Sequence, residues 1–426
     1  MTPQLFSLIF LLALAASLAL RVWLAWRHLA HVAAHRASVP AEFAAHIELG
    51  QHQKAADYTR AKIRLGLAEL VASGILLIAF TFGGVLQSAA DFCARTCAPE
   101  GIDPESGYLT GLALFACVAL LGFIVDFPFS LYRTFVLEAR FGFNQMSWRL
   151  YCVDIVKQGL LTVAIGAPLL LAVLWLMRMM GAYWWLYVWL FWLTFNLLVL
   201  LLYPTLIAPI FNKFVPLDNA ELKARIEALL ARCGFRSSGV FVMDGSKRSA
   251  HGNAYFTGFG AAKRIVFFDT LLARLTPPEI EAVLAHELGH FKHRHVWQRI
   301  FLLALLSLIF LWLLGLLIGQ PWFYAGLGVS MPLHTSQSTA MALILFSLAL
   351  PVFTFPLTPL MSHVSRKHEY QADAYAAGQT QATDLVNALV KLYRDNAATL
   401  TPDPLHSLFY DSHPPASLRI AHLLKH

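Results

Sequence analysis

Seven stretches of the chain, at about 4–26, 63–87, 107–132, 158–178, 182–205, 300–320 and 338–361, are each long and apolar enough to cross a bilayer. Within hydrocarbon every backbone N–H and C=O has to be satisfied inside the segment, so such stretches fold as helices. The sequence therefore predicts a mainly α membrane protein with seven transmembrane helices. A hydrophobic fraction of 58% against 13% charged, with a mean hydropathy of +0.59, lies outside the range of soluble domains. The first stretch has no basic segment before it and no clear small-x-small cleavage site after it, so it is expected to stay as a span.

Loop charge gives an orientation. Arg27, Arg36, Lys54, Arg60 and Lys62 fall in 27–62, and Arg133, Arg140, Arg149 and Lys157 in 133–157, which assigns both segments to the cytoplasm. The segment 88–106 carries Asp91, Glu100, Asp103 and Glu105 against one Arg, and 321–337 carries no charge, so both are expected outside or in a lumen. The N-terminus then lies outside and the C-terminus inside. The net charge of +7 belongs to juxtamembrane loops facing anionic lipid, and no basic strip interleaved with aromatics suggests nucleic acid. Cys93 and Cys97 share the outer loop, where oxidising conditions make a disulfide between them a hypothesis.

The expected organisation is spans 1–5 over 1–205, a cytoplasmic segment 206–299, spans 6 and 7 over 300–361, and a C-terminal segment 362–426. Segment 206–299 opens with a helical pattern from Asn219 to a stop at Gly234. Short strands follow in Gly239–Met243, Ala254–Gly258 and Arg264–Phe268, and a helix begins after Pro277 and Pro278 with Glu279 and Glu281 in its first turn. Too small to stand alone, these pieces are expected to build onto the helical bundle as a small α+β portion.

That last helix carries His286, Glu287 and His290 as a His-Glu-x-x-His run. Residues four apart share a helix face, so both imidazoles can grip one Zn²⁺, while Glu287, about 100° round the axis, reaches toward the attacking water. A catalytic zinc needs a third protein ligand and keeps one position open. Glu369 is the best candidate, and Asp373, four residues on, can accept a hydrogen bond from a ligand histidine's far nitrogen. Paired carboxylates on a helix are more often a solvated surface; the His-Glu-x-x-His run tips the balance toward metal. His293 and His295 are expected at the cytoplasmic membrane surface, and His251 and His368 without a role.

Several segments together resemble the type I CAAX prenyl protease family of integral-membrane zinc metallopeptidases: Leu131–Asn144, Pro209–Leu217, Asn253–Gly258, the His-Glu-x-x-His run, Ser365–Asp373 and Ser412–Pro415. The resemblance implies seven helices enclosing a water-filled chamber, with the zinc site facing inward near the cytoplasmic side. It assigns one Zn²⁺ per chain to His286, His290 and Glu369, and the general base to Glu287. His413, held by Pro414 and Pro415, would face the substrate carbonyl and the developing oxyanion. Arg419 is counted with the substrate-binding residues and would brace this region.

Asn253 and Ala254 are expected to touch the peptide backbone if their strand is an exposed edge; the alternative is a strand merely buried in a small sheet. A chamber also gives intramembrane acids a reason: Asp126 precedes Pro128, where a broken helix could open onto it, and Glu69 either faces it or snorkels to an interface. The implied substrate is a peptide or protein, in the family a prenylated one. Weighed against this are a membrane quality-control protease of HtpX type and a non-enzymatic polytopic protein with a structural zinc site, which four Cys or His ligands would usually close. A bacterial inner membrane and an endoplasmic-reticulum membrane fit the loop charges equally.

Overall fold

Each of the seven apolar stretches is helical, and most of the helices run well past the apolar part. The structure, a computed structural model, describes residues 1–97, 107–257, 264–331 and 335–425. Its first half contains α1 (Pro3–Ala34), α2 (Leu49–Phe80), α3 (Val85–Cys97), α4 (Gly107–Leu131), α5 (Trp148–Met179), α6 (Trp184–Leu202) and the short α7 (Ala208–Phe211). Lys54, Arg60 and Lys62, expected in a loop, are therefore helical, and the connection from α1 to α2 shrinks to 35–48. Hydropathy marks where a helix can touch lipid, whereas the helix itself continues until a cap or breaker ends it. Glu48 is such a cap, forming a capping box with Gln51 at the start of α2.

Pro128 does not break α4. The helix passes through it and continues into a π-helical turn at Tyr132–Glu138, so the span does not end there. Asp126 lines a cavity of about 790 Å³ with Ser130, Tyr151, Asp154 and Arg248. Glu69 on α2 is ion-paired with Arg133 of the π-helical turn. Glu100, Asp103 and Glu105 lie outside the described residues.

Between the two halves sit β1 (Phe214–Pro216), α8 (Ala220–Arg232), β2 (Val240–Met243), β3 (Ala254–Thr257), β4 (Arg264–Phe268), α9 (Asp269–Leu272) and α10 (Pro277–Lys292). Asn219 caps α8 by accepting the Leu222 N–H, and Thr276 with Glu279 closes a capping box on α10. The sheet order is β1-β2-β4-β3, with β2 parallel to β4 and both outer pairs antiparallel. The three expected strands are present, Gly258 lying outside the described residues; β1 was not foreseen. β3 is an edge strand, Ala254 facing Phe267 across the ladder and Thr257 facing Arg264.

The chain then returns through α11 (His295–Leu317), α12 (Pro321–Ala325), α13 (Thr335–Thr354) and α14 (Thr358–Gln379), and closes with α15 (Ala382–Asp395), α16 (Pro404–Tyr410) and α17 (Ala416–Leu423). Among the described residues, seven helical segments are long and apolar enough to cross a membrane, the last running from Thr339 to Gln379.

These spans do not pack into a solid bundle. No residue is buried in 60–73 of α2, 155–172 of α5, 189–202 of α6 or 296–313 of α11. A helix in a filled bundle buries a continuous inward stripe; these mid-span stretches lack one, as the chamber that the resemblance implies would require. One end is sealed by a core containing Phe10, Leu86, Tyr324 and Leu345, all fully buried. The other end is capped by the α+β portion, whose core gathers Ile226 and Leu229 of α8, Ile265 and Phe267 of β4, and Ala285 and Leu288 of α10. Removing each of the Ile, Leu and Phe side chains among them from water contributes about 1.5–3 kcal/mol.

Polar ties fasten this cap to the spans. Arg248, after β2, gives two hydrogen bonds to Asp154 of α5, at 2.8 and 3.0 Å, and one to Asn212. Arg27 of α1 holds the Asp403 N-cap of α16 in the same bidentate way.

Cys93 and Cys97 are not joined. Four residues apart on α3, their Cβ atoms leave the helix in nearly parallel directions, which a disulfide cannot bridge. Cys93 instead turns inward, its Sγ 3.6 Å from that of Cys117 on α4.

Candidate metal centre

α10 and α14 cross at the centre of the cap, and the residue that permits the crossing is Gly289. A Cβ there would lie 2.9 Å from Cα of Ala372 and 3.1 Å from its carbonyl oxygen, so only glycine lets the helices meet this closely. The crossing places His286 and His290 of α10 opposite Glu369 of α14. His286 Nε2 is 3.2 Å from His290 Nε2 and 3.5 Å from Glu369 Oε2, and His290 Nε2 is 3.4 Å from Glu369 Oε1. Zinc bonds of 2.0–2.1 Å in a tetrahedron put ligand atoms about 3.3 Å apart, which these separations match.

The far sides of the two rings say which nitrogens are free. His286 Nδ1 donates to Asp373 Oδ1 at 2.8 Å, and His290 Nδ1 lies 3.0 Å from Nδ1 of His295. With both Nδ1 atoms so engaged, the two Nε2 lone pairs converge on a carboxylate. Glu369 Oε2 is buried and has no hydrogen-bond partner, the Arg419 guanidinium standing 3.6 Å away. A buried acceptor of this kind is costly unless something positive satisfies it, and a cation between three converging lone pairs does so. The donor set, two imidazoles and one carboxylate, is that of a catalytic zinc site.

Behind the ligands, Asp373 is fully buried and takes two hydrogen bonds from Arg419, from Nη2 at 2.6 Å and Nε at 2.8 Å. With no metal bound, burial opposes a charged His286 ring, but Asp373 and Glu369 outweigh it and raise its pKa to about 9, so a bound cation takes the place of the proton on Nε2. Burial also pushes the Glu287 carboxyl above the usual carboxylate range, against the pull of the neighbouring histidines. A base so placed holds a transferred proton more readily than an ordinary glutamate.

His413 arrives from the loop between α16 and α17. Its Nε2 is 3.4 Å from Glu369 Oε1 and its Nδ1 is 2.9 Å from Ser412 Oγ; in the tautomer protonated on Nε2, Nδ1 accepts from the Ser412 hydroxyl and the ring proton faces the centre. The His413 side chain is 57% exposed, so the ring stays reachable from the open side of the centre. The ring borders a cavity of about 370 Å³ shared with Lys62, Tyr393 and Pro414.

The expected residues thus fall into three positions. His286, His290, Glu369 and His413 converge; Asp373 and Arg419 stand behind them. Arg419 is buried and reaches Glu369 and Asp373, which makes it a brace for the ligands and takes it off the face open to a peptide. Asn253 and Ala254 sit on the exposed edge of the sheet, the Asn253 side chain accepting the Ala254 N–H at 2.8 Å, and Phe256 of the same strand packs on Phe291 of α10 at 4.6 Å.

Two expectations are corrected. His295 is not at the membrane surface: it is buried against His290, because the turn between α10 and α11 folds it back. His368 is buried as well, its ring stacked on His295 at 3.9 Å. The signal available in the sequence was the fourth histidine of the run, five residues past His290, which helical periodicity alone would place on another face. His251, also given no role, stacks on Phe143 and lies 3.6 Å from Glu138.

Residues 28–213 match the CAAX prenyl protease N-terminal model, described as five membrane helices, and residues 216–426 match peptidase family M48. Similar proteins include a CAAX prenyl protease 1 homolog of Arabidopsis thaliana, 38% identical over 75% of this chain and 74% of that one. CAAX prenyl protease 1 of Saccharomyces cerevisiae is 34% identical over 87% and 85%. The crystal structure of S. mikatae Ste24p superposes with a TM-score of 0.89 at 30% identity, covering 98% of this chain and 99% of that one. Matching the membrane-helix and peptidase parts together supports this grouping over the quality-control alternative. A seven-span chain capped by a His-His-Glu centre, with relatives over nearly its whole length, belongs to peptidase family M48 and is a multi-pass membrane metallopeptidase homologous to CAAX prenyl protease 1.

Proposed function

We propose that the chain is a zinc-dependent endopeptidase that removes the C-terminal tripeptide of prenylated CAAX proteins, working at the cytoplasmic side of its membrane with the N-terminus outside or lumenal. The observation that carries the zinc reading is the convergence of the His286 and His290 Nε2 atoms on the two oxygens of the buried Glu369 carboxylate, at 3.5 and 3.4 Å. His286, His290 and Glu369 hold one Zn²⁺ per chain, and zinc bound there supplies Lewis acidity and brings the pKa of water toward about 7.

The chain's own residues do the rest. Glu287 takes the proton of the attacking water and passes it to the leaving amine. His413 donates from Nε2 to the oxygen on which charge develops. Asp373 fixes the His286 tautomer, and Arg419 holds Asp373. A peptide adds to the free edge of β3, its backbone meeting Asn253 and Ala254. The open mid-span space offers an apolar wall to a lipidated cysteine, and the basic ends of the spans favour the orientation. Either a bacterial inner membrane or an endoplasmic-reticulum membrane agrees with these charges.

The test is cleavage of a farnesylated CAAX peptide and its unprenylated twin by detergent-purified protein. Preferential cleavage of the farnesylated peptide after its cysteine is expected. Equal rates on both would remove the prenyl requirement, and cleavage of neither would remove the substrate class.

A further inference from the structure

We infer that His295 is a positioning residue for the metal centre: it accepts the Nδ1–H of His290, and so dictates which nitrogen of that ligand is presented to zinc. The inference rests on the metal assignment proposed above and adds a residue to it.

The local chain explains how a residue five positions past His290 can meet it. Along a continuous helix, positions five apart point about 140° away from each other. Here α10 ends at Lys292 and α11 begins at His295, and between them Arg294 takes φ of 57°, the left-handed region. That conformation is uncommon for a residue with a Cβ and persists where the surroundings require it. It reverses the chain and brings the His295 ring under His290, Nδ1 to Nδ1 at 3.0 Å.

Two nitrogens facing each other can share only one proton. His295 Nε2 lies 2.9 Å from Gln371 Oε1, an acceptor, so His295 carries its proton on Nε2 and donates it there. Its Nδ1 is then a lone pair, which accepts from His290 Nδ1–H. The His290 proton is thereby held on the far side of the ring, and Nε2 is bare toward His286 and Glu369. Gln371 lies two residues past Glu369 on α14, so the helix that supplies the third ligand also fixes this chain of donors.

The ring plane is held as well. His368 stacks on His295 at 3.9 Å and 10°, and its Nε2 is 3.0 Å from Gln298 Oε1. The two ligand histidines therefore have unlike supports: His286 leans on a carboxylate braced by Arg419, His290 on a neutral imidazole. Partners of this kind are commonly worth 10–100-fold in metal affinity.

The experiment measures zinc affinity by chelator competition, and the cobalt(II) absorption spectrum, on the full-length protein in detergent. His295→Leu removes the acceptor; His295→Gln keeps an acceptor oxygen. Zinc binding about 10–100-fold weaker in His295→Leu, with a shifted cobalt spectrum and at least partial recovery in His295→Gln, is the expected result. Arg294→Gly, which adopts the left-handed turn freely, should bind zinc as wild type does, whereas Arg294→Val should weaken it. Thermal unfolding with chelator present reports folding separately from metal. Wild-type affinity in His295→Leu, or equal weakening in His295→Leu and His295→Gln, overturns the inference alone. Wild-type protein that takes up no zinc overturns the metal assignment together with it.

Discussion

Arg419 and Asp373 form a buried, two-point pair, with hydrogen bonds of 2.6 and 2.8 Å, and the same Asp373 carboxylate accepts the Nδ1–H of His286. A residue from the last helix of the chain thus sets the basicity and orientation of a ligand on α10. Removing one member of a buried pair leaves an uncompensated charge and costs about 3–5 kcal/mol. Asp373→Ala is expected to lower the unfolding midpoint and to weaken zinc about 10–100-fold, both read from one preparation by thermal unfolding and chelator competition.

Gly289 should tolerate no side chain. In Gly289→Ala the added methyl meets Ala372 backbone rather than a side chain that could turn away. Overpacking of this kind costs about 1–3 kcal/mol. Because α10 and α14 must part to relieve it, zinc affinity is expected to fall with stability. A stable protein with unchanged zinc binding would show that the crossing can adjust.

How much of this was readable beforehand differs by element. All seven spans, the α8 and α10 helices and the three short strands follow from hydropathy, caps and alternation, whereas only the sheet order makes β3 an edge. Those signals are local, and the bilayer and the sheet use them directly. Span ends were misjudged because Lys54, Arg60 and Lys62 end an apolar window without ending a helix. His295 was missed for a different reason: its position depends on a left-handed Arg294, a conformation that residue type argues against. The partner of Cys93 was equally illegible, since only the packing of α3 on α4 selects Cys117.

His413 carries a prediction distinct from that of the ligands. If it donates to the oxyanion, His413→Ala lowers kcat by about 10²–10³-fold with KM and zinc content little changed. A purely structural histidine would instead change stability or KM.

Stability should depend on pH through Glu279, which is buried and paired with Lys391 Nζ at 2.7 Å. Burial alone would raise its carboxyl, but Lys391 and the Thr276 cap outweigh that and hold it below the ordinary 4.5. A group depressed in the folded state contributes stability above its unfolded value and loses it as pH falls through the folded one. The difference in unfolding midpoint between wild type and Lys391→Met is therefore expected to be full at pH 7 and to narrow below about pH 4.5. A difference that is constant with pH would mean the pair is not the source.

The most direct measurement is zinc content and turnover in Glu287→Gln. The amide keeps the shape of the carboxyl but cannot take a proton, and it leaves His286, His290 and Glu369 untouched. One zinc per chain by metal analysis, with kcat down by about 10²–10⁴-fold, is the expected result. Wild-type turnover in a zinc-loaded Glu287→Gln protein would contradict the assignment of this centre as the seat of hydrolysis.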